Sequence, residues 1–332
     1  MLGALGKAMG QRLPRSLPWT NVYGLARTLL ALGSALTLAF NPTMDLFLPQ
    51  PTLGAPEGVQ CTVPFSRFGL YCLGGTGLLE LKRCVALVIL LIAASGYRPR
   101  YLGILHWWVT FSFQANATLI EGGDQLSAIL TFLLIPVTLT DGRKWHWSSP
   151  ADVKARAGEP GPSRRFIAWW CFALIRLQVA GVYFHAALGK CEVPQWVDGT
   201  ALYYWLLHPL FGAPEWLVPF VRSIVLNRVL VALLGWGVIA LEFALAAGLL
   251  AKTKYRKLLL AGGVLLHLGI ILVHGLVSFG LVMFAALLLY LWPVSEPLRI
   301  PGVLRRSRSP RTAPGVTSGA GVLYTAKERP GC

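Results

Sequence analysis

Three side chains capable of proton exchange or charge pairing recur at intervals of seven along one apolar segment. Arg176 and Tyr183 lie within the run from Phe166 to Gly189, and Lys190 follows it directly. Seven residues are close to two helical turns, so the three share one face of a predicted helix. At the end of this run, Lys190 is either an anchor that reaches the lipid headgroups or a partly desolvated amine that loses its proton and acts as a base. The choice between these alternatives decides whether the protein is an enzyme.

Other ionisable residues also fall inside apolar segments, where each is costly to insert and is expected to face a cavity or a partner. Glu242 is the natural opposite charge for Arg176, and a structural Arg176–Glu242 pair is one interpretation of both residues. Arg27 lies one turn into its segment and is expected to reach back to the membrane surface.

Histidines recur in the same segments. His185 is five residues before Lys190 and therefore lies on a different part of the helix surface, where packing is a more common role than catalysis. His267 and His274 are seven apart and could line one cavity. We predict no metal site, and no two histidines form a convincing haem-ligand pair across segments.

A polar, glycine-containing turn precedes the fourth apolar segment. It contains Glu121 and Asp124, and Asp124 is well placed to cap the following helix. Alternatively, the two carboxylates orient an amine or a substrate near Lys190, which the predicted topology places on the same side of the membrane. Both interpretations are open at this point.

The composition indicates a membrane protein. Hydrophobic residues make up 55% of the 332 residues and charged residues only 13%, against about 25% charged in soluble domains. We predict an all-α fold, a polytopic transmembrane bundle of about eight spans with short interfacial helices on the outer side. The predicted spans are approximately 22–40, 78–96, 101–118, 124–140, 166–189, 229–251, 257–274 and 276–292, and the interfacial pieces are 199–208 and 214–225.

The distribution of basic residues predicts the orientation. Most of the 30 lysines and arginines fall on one side if both termini are cytoplasmic, as the positive-inside rule requires. We therefore predict a multi-pass protein of the plasma membrane. Its net charge of +16 is expected to attract anionic lipid headgroups, and we predict no binding of nucleic acid. Residues 1–19 form a cytoplasmic segment, 20–292 the transmembrane domain and 293–332 a basic, disordered tail, while the loop 141–165 is interpreted as a solvated connector.

Two cysteines share the first long outer loop. Cys61 and Cys72 are eleven residues apart, in a compartment that permits oxidation. We predict a disulfide between them, with free thiols as the alternative. Neither the number nor the spacing of the cysteines indicates a zinc site.

Several short motifs resemble a known family. The run Tyr183–Lys190 followed by Trp196–Tyr204 resembles the catalytic-lysine segment of vitamin K-dependent gamma-glutamyl carboxylases. The resemblance extends to Gly122-Gly-Asp124 and to the hairpin His267–Leu289. The chain thus resembles the horizontally transferred transmembrane (HTTM) domain over roughly residues 20–292. Its Gly96–Arg100 turn and compact size are most similar to the sporulation-delaying protein B family.

This resemblance carries expectations about chemistry. It aligns Lys190 with the amine that deprotonates vitamin K hydroquinone, and so implies a reduced quinone as cofactor. It also implies a secreted peptide or toxin precursor and a soluble companion protein as partners. The carboxylases have a large lumenal domain after the last spans, whereas about forty residues follow here, so carboxylation of glutamate is not implied. We predict Lys190 as the catalytic residue, in a cavity supported by Arg176, Tyr183, His185, Asp124, Glu242 and His267.

Three functions are compatible with these features. The first is a membrane enzyme, or an enzyme subunit, that matures a secreted antimicrobial peptide with Lys190 as base. The second is a noncatalytic export or immunity partner that binds the toxin. The third is a small-solute transporter. The sequence contains no phosphate-binding loop, serine-nucleophile elbow or metalloprotease helix, which argues against the commonest membrane hydrolases and ATP-driven pumps.

Overall fold

The computed structural model describes residues 17–49, 52, 58–148, 161–293 and 296–298, and this part of the chain is built from helices without strands. The all-helical prediction is therefore confirmed. The predicted tail from residue 299 onward and most of the N-terminal segment lie outside the described residues. The α-helices are α1 (Asn21–Phe40), α2 (Thr43–Leu46), α3 (Leu79–Ser95), α4 (Pro99–Asn116), α5 (Gly122–Thr140), α6 (Pro162–Cys191), α7 (Pro194–Val197), α8 (Ala201–Leu206), α9 (Val218–Val225), α10 (Arg228–Ala247), α11 (Thr253–His274) and α12 (Val277–Leu291).

Five of the described helices are long and apolar enough to cross a membrane: α1, α5, α6, α10 and α11. The three other predicted spans correspond to shorter or less apolar helices. Helix α3 carries Glu80, Lys82 and Arg83 near its start, α4 contains His106, Gln114 and Asn116, and α12 has only 15 residues. The protein is a helical membrane protein, and the structure supports five spans by length and composition.

The centre of the bundle is the contact between α1 and α12. Helix α12 also packs against α5, α6 and α11, and α1 against α3. Close approach requires a small residue, because a Cβ at Gly33 would lie 2.7 Å from Val282 Cγ2. In α1 67% of the apolar window is buried, against 22% in α10 and 11% in α11. Helices α10 and α11 therefore lie at the margin of the bundle.

The described residues of the loop between α1 and α3 pack on α1, α3 and α4. Cys61 and Cys72 are joined by a disulfide, with 5.8 Å between their Cα atoms, a separation usual for this bond. Asn116 at the end of α4 donates from Nδ2 to the backbone oxygens of Gln60 and Ser66, at 3.0 and 2.9 Å. These contacts fasten the loop at Gln60 and Ser66 to the end of α4.

The connector after α5 is partly buried where the structure describes it, so the interpretation of 141–165 as a solvated connector is wrong for three residues, Asp141, Arg143 and His146. His146 is completely buried and Arg143 nearly so. Arg27 is also buried and does not reach the surface as predicted, because it donates to His146 Nδ1 at 3.2 Å. Burial, aided by the positive charge of Arg27, lowers the pKa of His146 to about 2, which keeps the ring neutral and able to accept this bond.

Short helices follow α6, as predicted for the interfacial pieces. Helices α8 and α9 fall within 199–208 and 214–225. The chain turns at Gly199, whose φ of 81° is unfavourable for residues with a Cβ, and a Cβ there would meet Ala232 of α10. Tyr204, Trp205 and Trp216 are exposed, so a place at the headgroup level stays a prediction for this region.

Candidate functional site

Lys190 points into the helical bundle and forms an ion pair with Glu242. Its Nζ lies 2.8 Å from both carboxylate oxygens, and the two side chains are only 22% and 9% exposed. Helices α6 and α10 pack side by side, and side chains on a helix lean toward its N-terminus. Lys190, one residue before the end of α6, therefore leans back toward the interior and not outward to the headgroups.

The predicted Arg176–Glu242 pair is wrong. Arg176 lies fourteen residues before Lys190 on α6, which corresponds to about 21 Å along the helix axis. A carboxylate bound through both oxygens to Lys190 is therefore beyond the reach of the guanidinium. Arg176 has two buried nitrogens, Nε and NH2, that find no hydrogen-bond partner among the described residues.

A second polar pair lies beside the first. Tyr183 Oη is 2.9 Å from His267 Nε2, and both side chains are buried. Their contact joins α6 to α11, and the ring of Phe279 from α12 packs 5.5 Å from the histidine ring. Tyr183 lies seven residues, about two helical turns, before Lys190 on α6. The two pairs are thus neighbours on the face of α6 that the seven-residue spacing predicted.

Two further features shape this site: the ring of Trp196 beside Lys190 and a buried nitrogen of His267. Trp196 of α7 places its ring centroid 5.3 Å from Lys190 Nζ, and a carboxylate and an aromatic face are both suitable partners for a cation. The same tryptophan lines an open pocket of about 230 Å³ with Gln195, Tyr204 and Trp205. His267 Nδ1 is buried, and no residue that the structure describes forms a hydrogen bond with it. The tryptophan stands only six residues after the lysine, a proximity that could have indicated the contact.

The turn before α5 serves as a helix cap. Glu121 is the N-cap residue of a capping box in which the Glu121 N–H donates to Asp124 Oδ2 at 3.2 Å. Ser278 of α12 donates to Glu121 Oε1 at 2.9 Å, and burial raises the pKa of the Glu121 carboxyl. Both acids line an open, mostly apolar groove of about 880 Å³. Lys190 is not among the residues that line this groove or contact these acids, so the structure favours the capping interpretation of Asp124.

His185 lies apart from Lys190. It is exposed and lines a cavity of about 600 Å³ with Gln178, Gly181 and Leu133. An imidazole and an amide are suitable hydrogen-bond partners for the oxygens of a quinol. However, Gln178 follows Arg176 by two residues, and His185 follows Tyr183 by two. A step of two residues turns by about 200° around the helix, so both lie on roughly the opposite side of α6 from the face that carries Lys190. This cavity does not bring a quinol to Lys190.

His274, the second member of the predicted histidine pair, has a different hydrogen-bond partner from His267. Its Nδ1 is within hydrogen-bond distance of the backbone oxygen of Phe211, whereas His267 bonds to Tyr183. Gly275 follows with a φ of 70° and ends α11. The predicted cavity lined by both histidines is therefore not supported. Among the described residues, no group of histidines, cysteines and acids could hold a metal ion.

The fold and the site define a helical membrane protein with a lysine–glutamate pair enclosed between two apolar helices. Two proteins of Bacillus subtilis (strain 168) are similar to the chain. Uncharacterized protein YitO is 37% identical over 292 residues, covering 87% of this chain and 90% of that protein. Sporulation-delaying protein SdpB is 34% identical over 279 residues, covering 84% and 83%. The chain belongs to the family of sporulation-delaying protein SdpB.

Neither of the two other comparisons finds a relative. No model of a known protein family matches the chain, and no solved structure matches it. The resemblance to the HTTM domain therefore stays a prediction.

Proposed function

We propose that this protein acts in a sporulation-delaying toxin system, in the maturation of a secreted antimicrobial peptide, with Lys190 as the reactive base. Membership of the SdpB family supports a role in such a system. A secreted peptide or toxin precursor is the proposed substrate, and a soluble companion protein is a proposed partner. The maturation chemistry is inferred from the site alone.

One observation carries this proposal: the contact of Lys190 Nζ with both oxygens of Glu242 at 2.8 Å. At this distance a proton can pass between the amine and the carboxylate without an intervening group. Glu242 can thus take the proton of the Lys190 ammonium before the reaction, and the neutral amine that results can then accept a proton from the substrate. The Tyr183–His267 pair, on the same face of α6, adds two more groups that hold or exchange a proton.

The proposed topology places this site on the outer side of the plasma membrane. In it, residues 20–292 form an HTTM-like domain of eight spans, with α3, α4 and α12 added to the five long apolar helices. Both termini are then cytoplasmic. A reduced quinone of the vitamin K type is retained as a proposed cofactor, which would supply reducing chemistry when bound. The cavity at His185 lies across α6 from Lys190, so we assign no step to the quinone.

A second candidate function is noncatalytic binding of the peptide, as an export or immunity partner. The observation that favours it is the groove of about 880 Å³ lined by apolar residues with Glu121 and Asp124. Such a groove is large enough for a short peptide segment. In this function Lys190 and Glu242 would only hold α6 and α10 together.

The test replaces Lys190 by Met in cells that produce the secreted peptide. We expect mature peptide to disappear while the protein is inserted in the membrane at the normal level. The matched control is Lys254→Met, because Lys254 is an exposed lysine in the first turn of α11. Maturation at the wild-type rate in Lys190→Met would contradict the catalytic proposal. Retained capture of the peptide by the same variant would then support the binding function.

A further inference from the structure

A basic pocket lies at the C-terminal end of α5, whereas the capped turn lies at its N-terminal end. It has a volume of about 270 Å³ and is lined by Arg98, Arg100, Tyr101, Asp141, Arg143 and Lys144. Asp141 does not neutralise all four basic residues of the pocket. Arg143 binds both oxygens of Asp141, at 2.9 and 2.8 Å, and donates to the backbone oxygens of His146 and Ser148.

Three cations of the pocket are left for a ligand. Among the described residues no carboxylate contacts Arg98, Arg100 or Lys144. Arg98 and Lys144 are exposed, and Arg100 is partly buried and donates only from Nε, to the backbone oxygen of Leu139 at 3.0 Å. Guanidinium groups and an ammonium that converge on one small concavity are typical partners of a phosphate group.

The backbone of this pocket is held in an unusual conformation. Arg98 has a φ of 35°, in the left-handed region that residues with a side chain rarely adopt. A hydrogen bond from its N–H to the backbone oxygen of Lys144, 2.7 Å long, maintains this conformation. Because the bond joins the α3–α4 turn to the segment after α5, it also keeps Arg98 and Lys144 beside each other. Such strain persists only where the surrounding structure enforces it.

The surroundings of the pocket indicate a membrane boundary. It opens directly after Thr140, the last residue of the candidate span α5. Tyr101, Trp145 and Trp147 are 61%, 40% and 44% exposed, and exposed tyrosine and tryptophan are enriched at the level of the lipid headgroups. We propose that this pocket binds the phosphate of an anionic phospholipid headgroup. The site is independent of Lys190 and of peptide maturation.

The test measures lipid binding to the purified full-length protein in detergent, by native mass spectrometry and by thermal unfolding. The probes are short-chain phosphatidylglycerol, phosphatidylcholine with the same chains, and inorganic phosphate. We expect phosphatidylglycerol to bind more tightly and to raise the melting temperature more than the other two. Each basic residue near an anionic headgroup contributes about a fivefold change in affinity.

Two charges are then removed by Arg100→Gln with Lys144→Gln, which should weaken phosphatidylglycerol binding about 25-fold. Lys144→Gln alone should weaken it about fivefold, and serves if the double variant does not fold. The matched control is Lys252→Gln with Lys254→Gln, two exposed lysines at the start of α11. Equal binding of the two lipids, or equal losses in the test and control variants, would overturn the proposal. Equal stabilisation by inorganic phosphate would assign the pocket to a free anion and reject the lipid.

Discussion

Removing either member of the Lys190–Glu242 pair should destabilise the protein, and removing both should cost less than the two single losses combined. The perturbations are Lys190→Met and Glu242→Gln, which keep the approximate size of each side chain. Each single change leaves the other group without its partner between α6 and α10. The double change leaves a neutral amide and a thioether, which need no counter-charge.

The magnitude follows from the distance and the burial. At 2.8 Å and an effective dielectric constant of about 20, two unit charges attract each other by about 6 kcal/mol. Desolvation of both groups offsets part of this attraction. Loss of one partner of a buried pair therefore lowers the free energy of unfolding by about 3–5 kcal/mol. The coupling energy of the double-mutant cycle should be about 2–3 kcal/mol.

The assay is equilibrium unfolding of the purified variants in mixed micelles, followed by circular dichroism. Lys254→Met controls for the loss of a lysine at an exposed position of a membrane helix. If the two single losses add up to the double loss within about 0.5 kcal/mol, the ion pair is not formed in the protein. That outcome would refute the reasoning about stability and would also remove the proton partner from the proposed mechanism.

Three further predictions concern other parts of the fold. Cys61→Ser with Cys72→Ser opens a loop that a disulfide closes at a separation of 11 residues. The free energy of unfolding should therefore fall by about 3 kcal/mol. An equal melting temperature of the unmodified protein with and without reductant would contradict this. His146→Ala removes the buried acceptor of Arg27, and should cost about 1–3 kcal/mol in the same unfolding assay, whereas a neutral result would show that the guanidinium has another partner. Burial raises the pKa of Glu121 above its ordinary value of 4.5, so its contribution to stability is complete below pH 4.5 and is lost as the pH rises through the raised pKa. Glu121→Gln should flatten this part of the curve of melting temperature against pH, and an unchanged slope would exclude Glu121 as its source.

The helices could be predicted from the sequence because long apolar runs leave few alternatives. The run from Phe166 to Gly189 is contained in α6, and the hairpin at His274-Gly275 ends α11. The pairing of Cys61 with Cys72 could be proposed because both lie in one loop. These inferences depend on local composition and spacing, which a single sequence contains.

The partners of the buried charges could not be predicted in the same way. Arg176 and Glu242 both lie near the middle of an apolar segment and carry opposite charges, which made their pairing reasonable. The long side chain of Lys190, directed back along α6, reaches Glu242 instead. The burial of His146 was also missed, because the segment after α5 has no apolar periodicity. Tertiary contacts with Arg27 and Thr28 determine its place.

Only a small part of α10 and α11 is buried in the bundle, and this affects how the site could work. These two helices supply Glu242 and His267, while α6, whose apolar window is 33% buried, supplies Lys190 and Tyr183. Each polar pair therefore joins α6 to one of the two less buried helices. A small sliding movement of these two helices would separate both contacts at once and free the amine for another molecule, without disrupting the packing of α1 on α12.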